Sequence, residues 1–373
     1  MLRKILIIFF VFSFLVLIRS MFSNYYPDFS VHYYGYRMVL ENLNPYINKG
    51  EMFVPHVYPP FALLFFYPFS FLNFFLAQKI WFFLSLTFFL LSIYIIFKIN
   101  KENLFSTMGF LIMGLIFLYF PSRFTLGMGQ INNLILFITV LGIYYLNKKD
   151  DFKSGIFFGL AISIKFFPLL FLIYFILLKR YKLLITTILS FFIFLVLGFI
   201  FIGYDLNIYF YNSILPSLLN SWKTEYYNQS ISAFVGRLLI EPSLKEVVKI
   251  IASFFFIALS FKAIYLIHKK EIKNKINLSL SILIILSLAI NNFTWQHHFV
   301  LLTFPFLTII FYLLNNKLFF YKYYLLIGLA YLLTTLNIKN PDGIPVILQS
   351  HPLYGLIILW WVNYSFLAGK KQP

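Results

Sequence analysis

The chain has 373 residues, of which 61% are hydrophobic, 22% are aromatic and only 11% are charged. A soluble domain carries roughly 25% charged residues, so this composition excludes an ordinary globular protein and predicts one that crosses a bilayer many times. The net charge of +18 would suggest nucleic-acid binding in a soluble protein. Here the basic residues lie in short clusters between apolar runs, as they do in cytoplasmic loops, and we therefore exclude nucleic acid as a partner.

At the N-terminus, Arg3-Lys4 precedes an apolar run that lacks a small-residue cleavage site, which predicts an uncleaved first span. Placing all basic clusters in the cytoplasm predicts both termini inside a plasma (cytoplasmic) membrane. The expected fold is an all-α polytopic membrane protein with about 10 full transmembrane helices, forming one domain over 1–373. The clusters are Arg3-Lys4, Lys98 with Lys101, Lys148-Lys149 with Lys153, Lys179-Arg180 with Lys182, Lys269 to Lys275, Lys317, and Lys370-Lys371.

Two long outer loops, about 20–60 and 203–247, are expected to form the active-site side. Asp28 lies in the first loop and is one of only 12 acidic residues. A carboxylate at the lip of a span is costly unless water or a partner meets it, and such a group can serve as a general base. Pro27-Asp28 is also a turn signature, so Asp28 could instead cap a loop helix. Residues 32–43 could form a helix along the membrane surface.

The segment between Lys153 and Lys179 is long enough for one span, yet both of its ends are basic. Pro168 breaks a helix near the residues before it. One interpretation is a broken or re-entrant pair of half-helices that meet at Lys165, lining a cavity. The other is a single kinked span in which Lys165 pairs with a distant carboxylate. In both, an intramembrane charge indicates function.

Polar side chains gather on the outer side of this topology. Cations and a histidine pair suit the phosphate of a lipid head group, and a single carboxylate among them suits removal of a proton from a hydroxyl. This combination predicts group transfer from a lipid phosphate on the extracytoplasmic face. The residues are Asp28, Arg123, Gln130, Asn132, Lys165, Asn228, Gln229, Arg237, Trp295, His297 and His298.

Several of these residues have simpler interpretations. Arg123 could only snorkel to the interface, and Asn132 could be a helix N-cap after a plain glycine loop. Adjacent His297 and His298 lack the i,i+4 spacing and the glutamate of a zinc site. No Asp-x-Asp pair occurs in the chain, which argues against a metal-chelated nucleotide donor. We expect no cofactor and no metal.

The order of the motifs resembles glycosyltransferase family 87, multispanning enzymes with the GT-C fold. Members use polyprenyl-phosphate mannose and form α-1,2 linkages. The motifs are Pro27-Asp28-Phe29, Asn44-Pro45-Tyr46, Tyr58-Pro59-Pro60, Gly129-Gln130-Ile131-Asn132, Gly155 through Lys165-Phe166-Phe167-Pro168, Tyr227-Asn228-Gln229-Ser230 with Arg237, and Trp295-Gln296-His297-His298.

The resemblance implies roles for these residues. Asp28 matches the family's catalytic base, and Lys165, His297 and His298 match positions near the donor phosphate, where we also place Arg123 and Arg237. Substrate-binding positions are Tyr58, Gln130, Asn132, Asn228, Gln229 and Trp295. The implied reaction is inverting transfer of a hexose, with mannose the first candidate, from a polyprenyl-phosphate sugar to a hydroxyl of a lipid or glycan acceptor.

A secondary transporter or lipid flippase is the alternative from another class, since it would share the spans, the broken helix and Lys165. Transporters often contain two related halves, and this sequence shows no internal repeat. Their polar groups also concentrate at the midplane, whereas these gather at one face. The sequence leaves the sugar, the acceptor and the oligomeric state open.

Overall fold

The computed structural model describes residues 1–47, 49–220, 224–270, 272–317 and 321–368. Within these residues the chain is helical, and its extended pairing is limited to one isolated antiparallel bridge between Asn228 and Trp295. The predicted all-α class is therefore confirmed.

Most helices follow one another with short connections, where Pro, Gly and polar residues separate the apolar runs; a longer connection joins α2 to α3. In chain order they are α1 (Leu2–Ile18), α2 (Pro27–Leu40), α3 (Pro60–Leu63), α4 (Phe74–Asn100), α5 (Thr107–Leu118), α6 (Phe120–Met128), α7 (Asn132–Asn147), α8 (Asp151–Ile164), α9 (Phe171–Leu177), α10 (Tyr181–Ile202), α11 (Tyr204–Tyr209), α12 (Leu215–Asn220), α13 (Ile231–Leu238), α14 (Pro242–Lys269), α15 (Lys275–Ile290), α16 (Thr303–Asn315), α17 (Tyr321–Thr335) and α18 (His351–Ala368). Short 3₁₀ turns cover Arg19–Phe22, Leu64–Phe71, Phe167–Leu170, Gln296–Leu302, Pro341–Gly343 and Val346–Ser350, and a π turn covers Phe210–Ile214.

Fewer helices are long enough to cross a bilayer than the sequence predicts. Among the described residues, 5 qualify by length and composition, or 6 if the bent pair α5 and α6 is one span. The expectation of about ten full spans is not supported. Apolar runs such as α7 and α15 have only 16 residues each, or about 24 Å at 1.5 Å per residue, against a hydrocarbon core of about 30 Å. The qualifying helices are Leu2–Phe22, Phe74–Asn100, Tyr181–Ile202, Pro242–Lys269 and Gln296–Asn315.

Two compact units interleave along the sequence. The first contains residues 1–14, 96–122 and the described part of 222–373, and the second contains 15–95 and 123–221. The single domain over 1–373 stays a prediction.

In the second unit, α8 and α9 form a hairpin. Arg180, after α9, forms an ion pair with Asp151 at the start of α8. Midway along α8, the Phe158 ring lies 5.5 Å from that of Phe171 and 5.1 Å from that of Phe175, both on α9. The chain therefore enters and returns, with Lys165 at the tip. Of the two interpretations of this segment, the geometry is that of the broken pair.

Helix α8 also packs closely on α10 through two glycines four residues apart. A Cβ atom on Gly155 would lie 2.6 Å from Cβ of Thr186, and one on Gly159 would lie 2.6 Å from Cβ of Ser190. Small residues at this spacing let membrane helices approach closely. This packing fixes α8, the first helix of the hairpin, against the long apolar helix α10.

In the first unit, α15 is the buried centre, with nearly every residue from Asn277 to Ala289 inaccessible to solvent. Helix α18 bonds to it and to α14: Asn363 Nδ2 donates to the Leu278 carbonyl at 3.1 Å, and Trp360 Nε1 donates to Ser260 Oγ at 3.0 Å. Polar side chains thus join these helices inside a largely apolar interior.

Candidate active site

Asp28 lies in the first turn of α2, which begins at Pro27. Proline suits the first helical position because its missing N–H has no partner there in any case. The N-cap is Tyr26, whose side chain makes no capping bond. The helix covers 27–40 rather than the expected 32–43, so Asp28 lies in the helix rather than in the loop before it.

The Asp28 carboxyl is largely shielded from water. Burial raises its pKa to about 6, while a hydrogen bond with the Gln130 side chain and the charge of Lys165 act in the opposite direction. A carboxyl with this pKa is ionised at neutral pH and still basic enough to accept a proton.

Gln130 joins Asp28 to Tyr58. The Tyr58 hydroxyl donates to Gln130 Oε1 at 3.0 Å, and burial together with the Asp28 charge raises the pKa of Tyr58. Tyr58 therefore stays protonated and keeps donating its hydrogen bond. The amide of Gln130 is only 4% exposed, so it is held between these two partners.

Gly129 determines how closely Gln130 approaches α2. Its φ is +70°, and an added Cβ would lie 2.7 Å from Cβ of Phe29 and 2.9 Å from Cβ of Tyr26. Only glycine fits this left-handed conformation and this contact. The glycine therefore allows the turn before α7 to touch the first turn of α2.

Lys165, at the hairpin tip, lies beside these groups. Its backbone is extended, with φ −156° and ψ 126°, because Pro168 prevents the helix from continuing. Its amine donates to Asn132 Oδ1 at 3.0 Å and lies 5.3 Å from the centre of the Tyr58 ring. The N-cap of α7 is Ile131, so capping does not explain Asn132.

Two histidines that the sequence argument did not select line this cluster. The His32 ring stacks on Phe66 at 4.3 Å and lies 4.9 Å from Tyr58, and His56 lies 5.7 Å from Tyr58. Both are at most 1% exposed. Burial lowers the pKa of His32 well below its usual value and that of His56 to about 3, so both are neutral. The signal available in the sequence was their spacing: His32 is one helical turn from Asp28, and His56 precedes Tyr58 by two residues.

The second unit thus brings together five predicted residues from four separate stretches of sequence. These are Asp28, Tyr58, Gln130, Asn132 and Lys165. Arg123, predicted beside them, lies half-buried on α6 of the same unit. The arrangement places one carboxylate and one amine around a shared set of neutral hydrogen-bonding groups.

The other predicted residues lie in the first unit. Asn228 and Trp295 form the antiparallel bridge. Beside it, the backbone N–H of Gln229 donates to the Thr294 carbonyl at 2.7 Å, and the backbone N–H of Gln296 donates to the Tyr227 carbonyl at 2.8 Å. The two motifs that the sequence placed 60 residues and more apart are therefore one substructure.

Arg237 holds part of this substructure. Its guanidinium donates to the Asn228 carbonyl at 2.9 Å and to Ser350 Oγ at 2.7 Å. His297 and His298 are buried, with ring centres 4.5 Å apart. Phosphate contact by these three residues stays a prediction.

These features define a helical membrane protein in which a shielded carboxylate on α2 lies near a lysine at the tip of the α8–α9 hairpin. The family model for glycosyltransferase family 87 matches residues 56–314, more than half of the chain. The chain belongs to this family, which confirms the resemblance drawn from its motifs, and it is a glycosyltransferase. No curated protein and no solved structure matches it.

Proposed function

We propose that this glycosyltransferase moves a hexose, with mannose the first candidate, from a polyprenyl-phosphate donor to a hydroxyl of a lipid or glycan acceptor. The observation that carries the proposal is the meeting of Asp28 and Lys165 around Gln130, Tyr58 and Asn132. One group can accept a proton and the other can neutralise a phosphate, and both functions are required in this reaction.

In the proposed reaction, Asp28 removes the proton of the acceptor hydroxyl. The acceptor oxygen forms a bond to the anomeric carbon from the face opposite the leaving group, and the bond from that carbon to the phosphate oxygen breaks. The electron pair of the broken bond leaves with the polyprenyl phosphate. A β-linked donor then gives an α-linked product.

The leaving phosphate gains negative charge as its bond to the sugar breaks. Lys165 offers an amine fixed by Asn132, and a preorganised cation stabilises such charge more than one that must first reorient. We assign Arg123 to the same phosphate. For His297, His298 and Arg237, we propose contact with the donor phosphate on the ground of their family positions alone.

An apolar groove beside the site supports a lipid-linked donor. It has a volume of about 380 Å³ and is lined only by apolar residues of the second unit, among them Phe65, Phe69, Trp81, Leu84, Phe88 and Leu134. Trp81 also bonds to Gly129, next to Gln130. Such a surface suits a hydrocarbon chain and offers no polar partner to a nucleotide.

We place the site on the extracytoplasmic side, with both termini in the cytoplasm, because of the distribution of basic clusters. We further propose that no metal is required, since the amine of Lys165 supplies the positive charge that a divalent ion supplies in nucleotide-dependent enzymes. Tyr58, Gln130, Asn132, Asn228, Gln229 and Trp295 are proposed to contact substrate.

The test compares wild type with Asp28→Asn in nanodiscs. Each protein is given radiolabelled polyprenyl-phosphate mannose, then glucose, galactose and arabinose donors, with native lipid extract and EDTA. We expect wild type to move label to a new lipid, and Asp28→Asn to lose about 10²–10⁴-fold in turnover while donor binding changes little.

The matched control is Asp205→Asn, since Asp205 is exposed and also lies in the first turn of a helix, α11. It should retain wild-type turnover. If wild type transfers sugar from none of these donors, the proposed polyprenyl-phosphate donor is contradicted. Equal activity in Asp28→Asn would contradict the role of Asp28 as base.

A further inference from the structure

One face of α4 carries three polar side chains that bond to backbone and side-chain groups outside that helix. They are Gln78, Trp81 and Ser85, which are 0%, 3% and 1% exposed. Their spacing of three and four residues places them on one side of the helix. Polar groups inside an apolar spanning helix are costly without partners, so the identity of those partners is informative.

Gln78 binds the segment that leads into Asp28. Its Oε1 accepts from the Tyr26 N–H at 3.2 Å, and its Nε2 donates to the Asn24 carbonyl at 2.8 Å. These residues immediately precede Pro27 and Asp28. A two-point contact of this kind fixes both the position and the direction of the chain as it enters α2.

Trp81 and Ser85 bind the segment that carries the partners of Asp28 and Lys165. Trp81 Nε1 donates to the Gly129 carbonyl at 2.8 Å, and Ser85 Oγ accepts from Asn133 Nδ2 at 3.0 Å. Gly129 precedes Gln130, and Asn133 follows Asn132. The two bonds therefore bracket the residues that contact Asp28 and Lys165.

Ser92 and Thr87, two further hydroxyl residues of the same helix, bond differently. Ser92, which is 0% exposed, and Thr87, which is exposed, each bond to a carbonyl of α4 itself, at 2.6 Å and 2.8 Å. The bonds from Gln78, Trp81 and Ser85 thus converge on the two segments of the site, whereas Ser92 and Thr87 only satisfy their own helix.

We propose that Gln78, Trp81 and Ser85 are positioning residues: together they set the distance between Asp28 and the side chains of Gln130 and Asn132. We refer to them as the α4 stripe. The inference rests on the proposed function only in naming Asp28 as the base. Gln78 and Trp81 act through backbone groups beside the site, and Ser85 acts through the side chain of Asn133. Gln78 and Ser85 are not among the residues that line the proposed donor groove. Trp81 does line it, and Trp81→Phe keeps an apolar ring there while it removes the Nε1 hydrogen bond.

The titration of Asp28 reports on this distance. Lys165 faces Asp28 with its charge, and Gln130 donates a hydrogen bond to it. The titratable groups that line the same cluster, all in their neutral form, are Tyr58, His32 and His56. The Gln130 bond and the Lys165 charge lower the pKa of Asp28. Moving these partners away therefore raises that pKa.

The experiment measures labelling of Asp28 by a hydrophobic carbodiimide against pH, read by mass spectrometry, beside kcat and donor KM. The variants are Gln78→Leu, Trp81→Phe and Ser85→Ala, with Ser92→Ala and Thr87→Val as matched controls. For Gln78→Leu and Trp81→Phe we expect the labelling midpoint to rise by about half a pH unit or more, and kcat to fall about tenfold with KM within about twofold.

The inference is overturned if these two variants keep the wild-type midpoint and kcat, or if Ser92→Ala changes them equally. Should Gln78→Leu fail to fold, Ser85→Ala, which removes only one hydroxyl, and Trp81→Phe, which keeps an aromatic ring, decide the matter. For Ser85→Ala we expect a change in the same direction, since it removes the bond to Asn133. Labelling needs no turnover, so a wild type that transfers no sugar would contradict the proposed reaction while the midpoints still test the stripe.

Discussion

The Lys165 amine donates a hydrogen bond of 3.0 Å to Asn132 Oδ1 across 33 residues of sequence. The bond connects the tip of the α8–α9 hairpin to the first residue of α7. Because the amine also lies against the Tyr58 ring, its position is set from two sides. A cation held in this way loses little freedom when it meets an anion.

Replacing this cation should reduce transfer strongly. For Lys165→Gln we expect kcat/KM for the donor to fall about 10²-fold or more, because a preorganised charge at a leaving phosphate contributes on that scale. Lys153→Gln is the matched control: Lys153 lies on the same hairpin, with 56% of its side chain exposed, and should change kcat/KM less than about twofold. Equal losses in the two variants would contradict a local role for Lys165.

The pH dependence should follow Asp28 and Lys165. Burial raises the pKa of Asp28 to about 6, and burial lowers the pKa of Lys165 to about 7. Because the base acts in its ionised form and the lysine in its charged form, kcat/KM should be highest between about pH 6 and pH 7, falling below as Asp28 is protonated and above as Lys165 loses its charge. In Lys165→Gln the pKa of Asp28 should rise further, since the lysine charge lowers it. The measurement is kcat/KM from about pH 4.5 to pH 8. An acid limb near pH 4 in wild type would contradict this assignment.

Gly129→Ala should damage both fold and activity. The substitution places a Cβ at φ +70° and 2.7 Å from Cβ of Phe29, which we expect to lower the free energy of unfolding by about 1–3 kcal/mol. Gly127→Ala is the control. Gly127 lies in helix α6, where alanine is favoured, and its added Cβ would lie at an ordinary contact distance of 3.6 Å from Cβ of Ser20. Thermal unfolding in detergent and turnover test both. Wild-type stability in Gly129→Ala would show that the turn before α7 can shift to accept a Cβ, which would contradict the requirement for glycine.

The ion pair at the base of the hairpin should contribute to stability. Asp151 and Arg180 are 16% and 22% exposed, and removal of one partner leaves the other poorly solvated. For Asp151→Asn we expect a loss of about 1–3 kcal/mol in thermal unfolding. The double variant Asp151→Arg with Arg180→Asp should recover part of that loss.

Asp150→Asn provides the comparison for the ion pair. Asp150 is the N-cap of α8, and asparagine caps a helix as well as aspartate does. Its effect should stay within about 0.5 kcal/mol. A loss as large as that of Asp151→Asn would assign the effect to the helix start rather than to the ion pair.

Local signals in the sequence were informative where one residue dominates the backbone. Pro168 indicated the break at Lys165. Pro27 fixes the start of α2, although the predicted start lay five residues later, at His32. Span number was overestimated, since hydropathy alone does not distinguish a 16-residue helix from a longer one.

Contacts between distant segments were beyond the sequence argument. The bond from Tyr58 to Gln130 joins residues 72 apart, and nothing in either motif selects the other as its partner. Gln78 was overlooked because a lone amide in an apolar run carries no pattern of its own. Its role becomes visible only in the three-dimensional structure, where its side chain bonds to the backbone of Asn24 and Tyr26.

The ion pair at the hairpin base also determines how the neighbouring helices run. Because Asp151 and Arg180 touch, the chain before α8 and the chain after α9 lie at the same end of the hairpin. Helix α7 therefore ends near this base, and α10 begins near it. The hairpin is an insertion between these two helices, and it carries Lys165 from its base to the site.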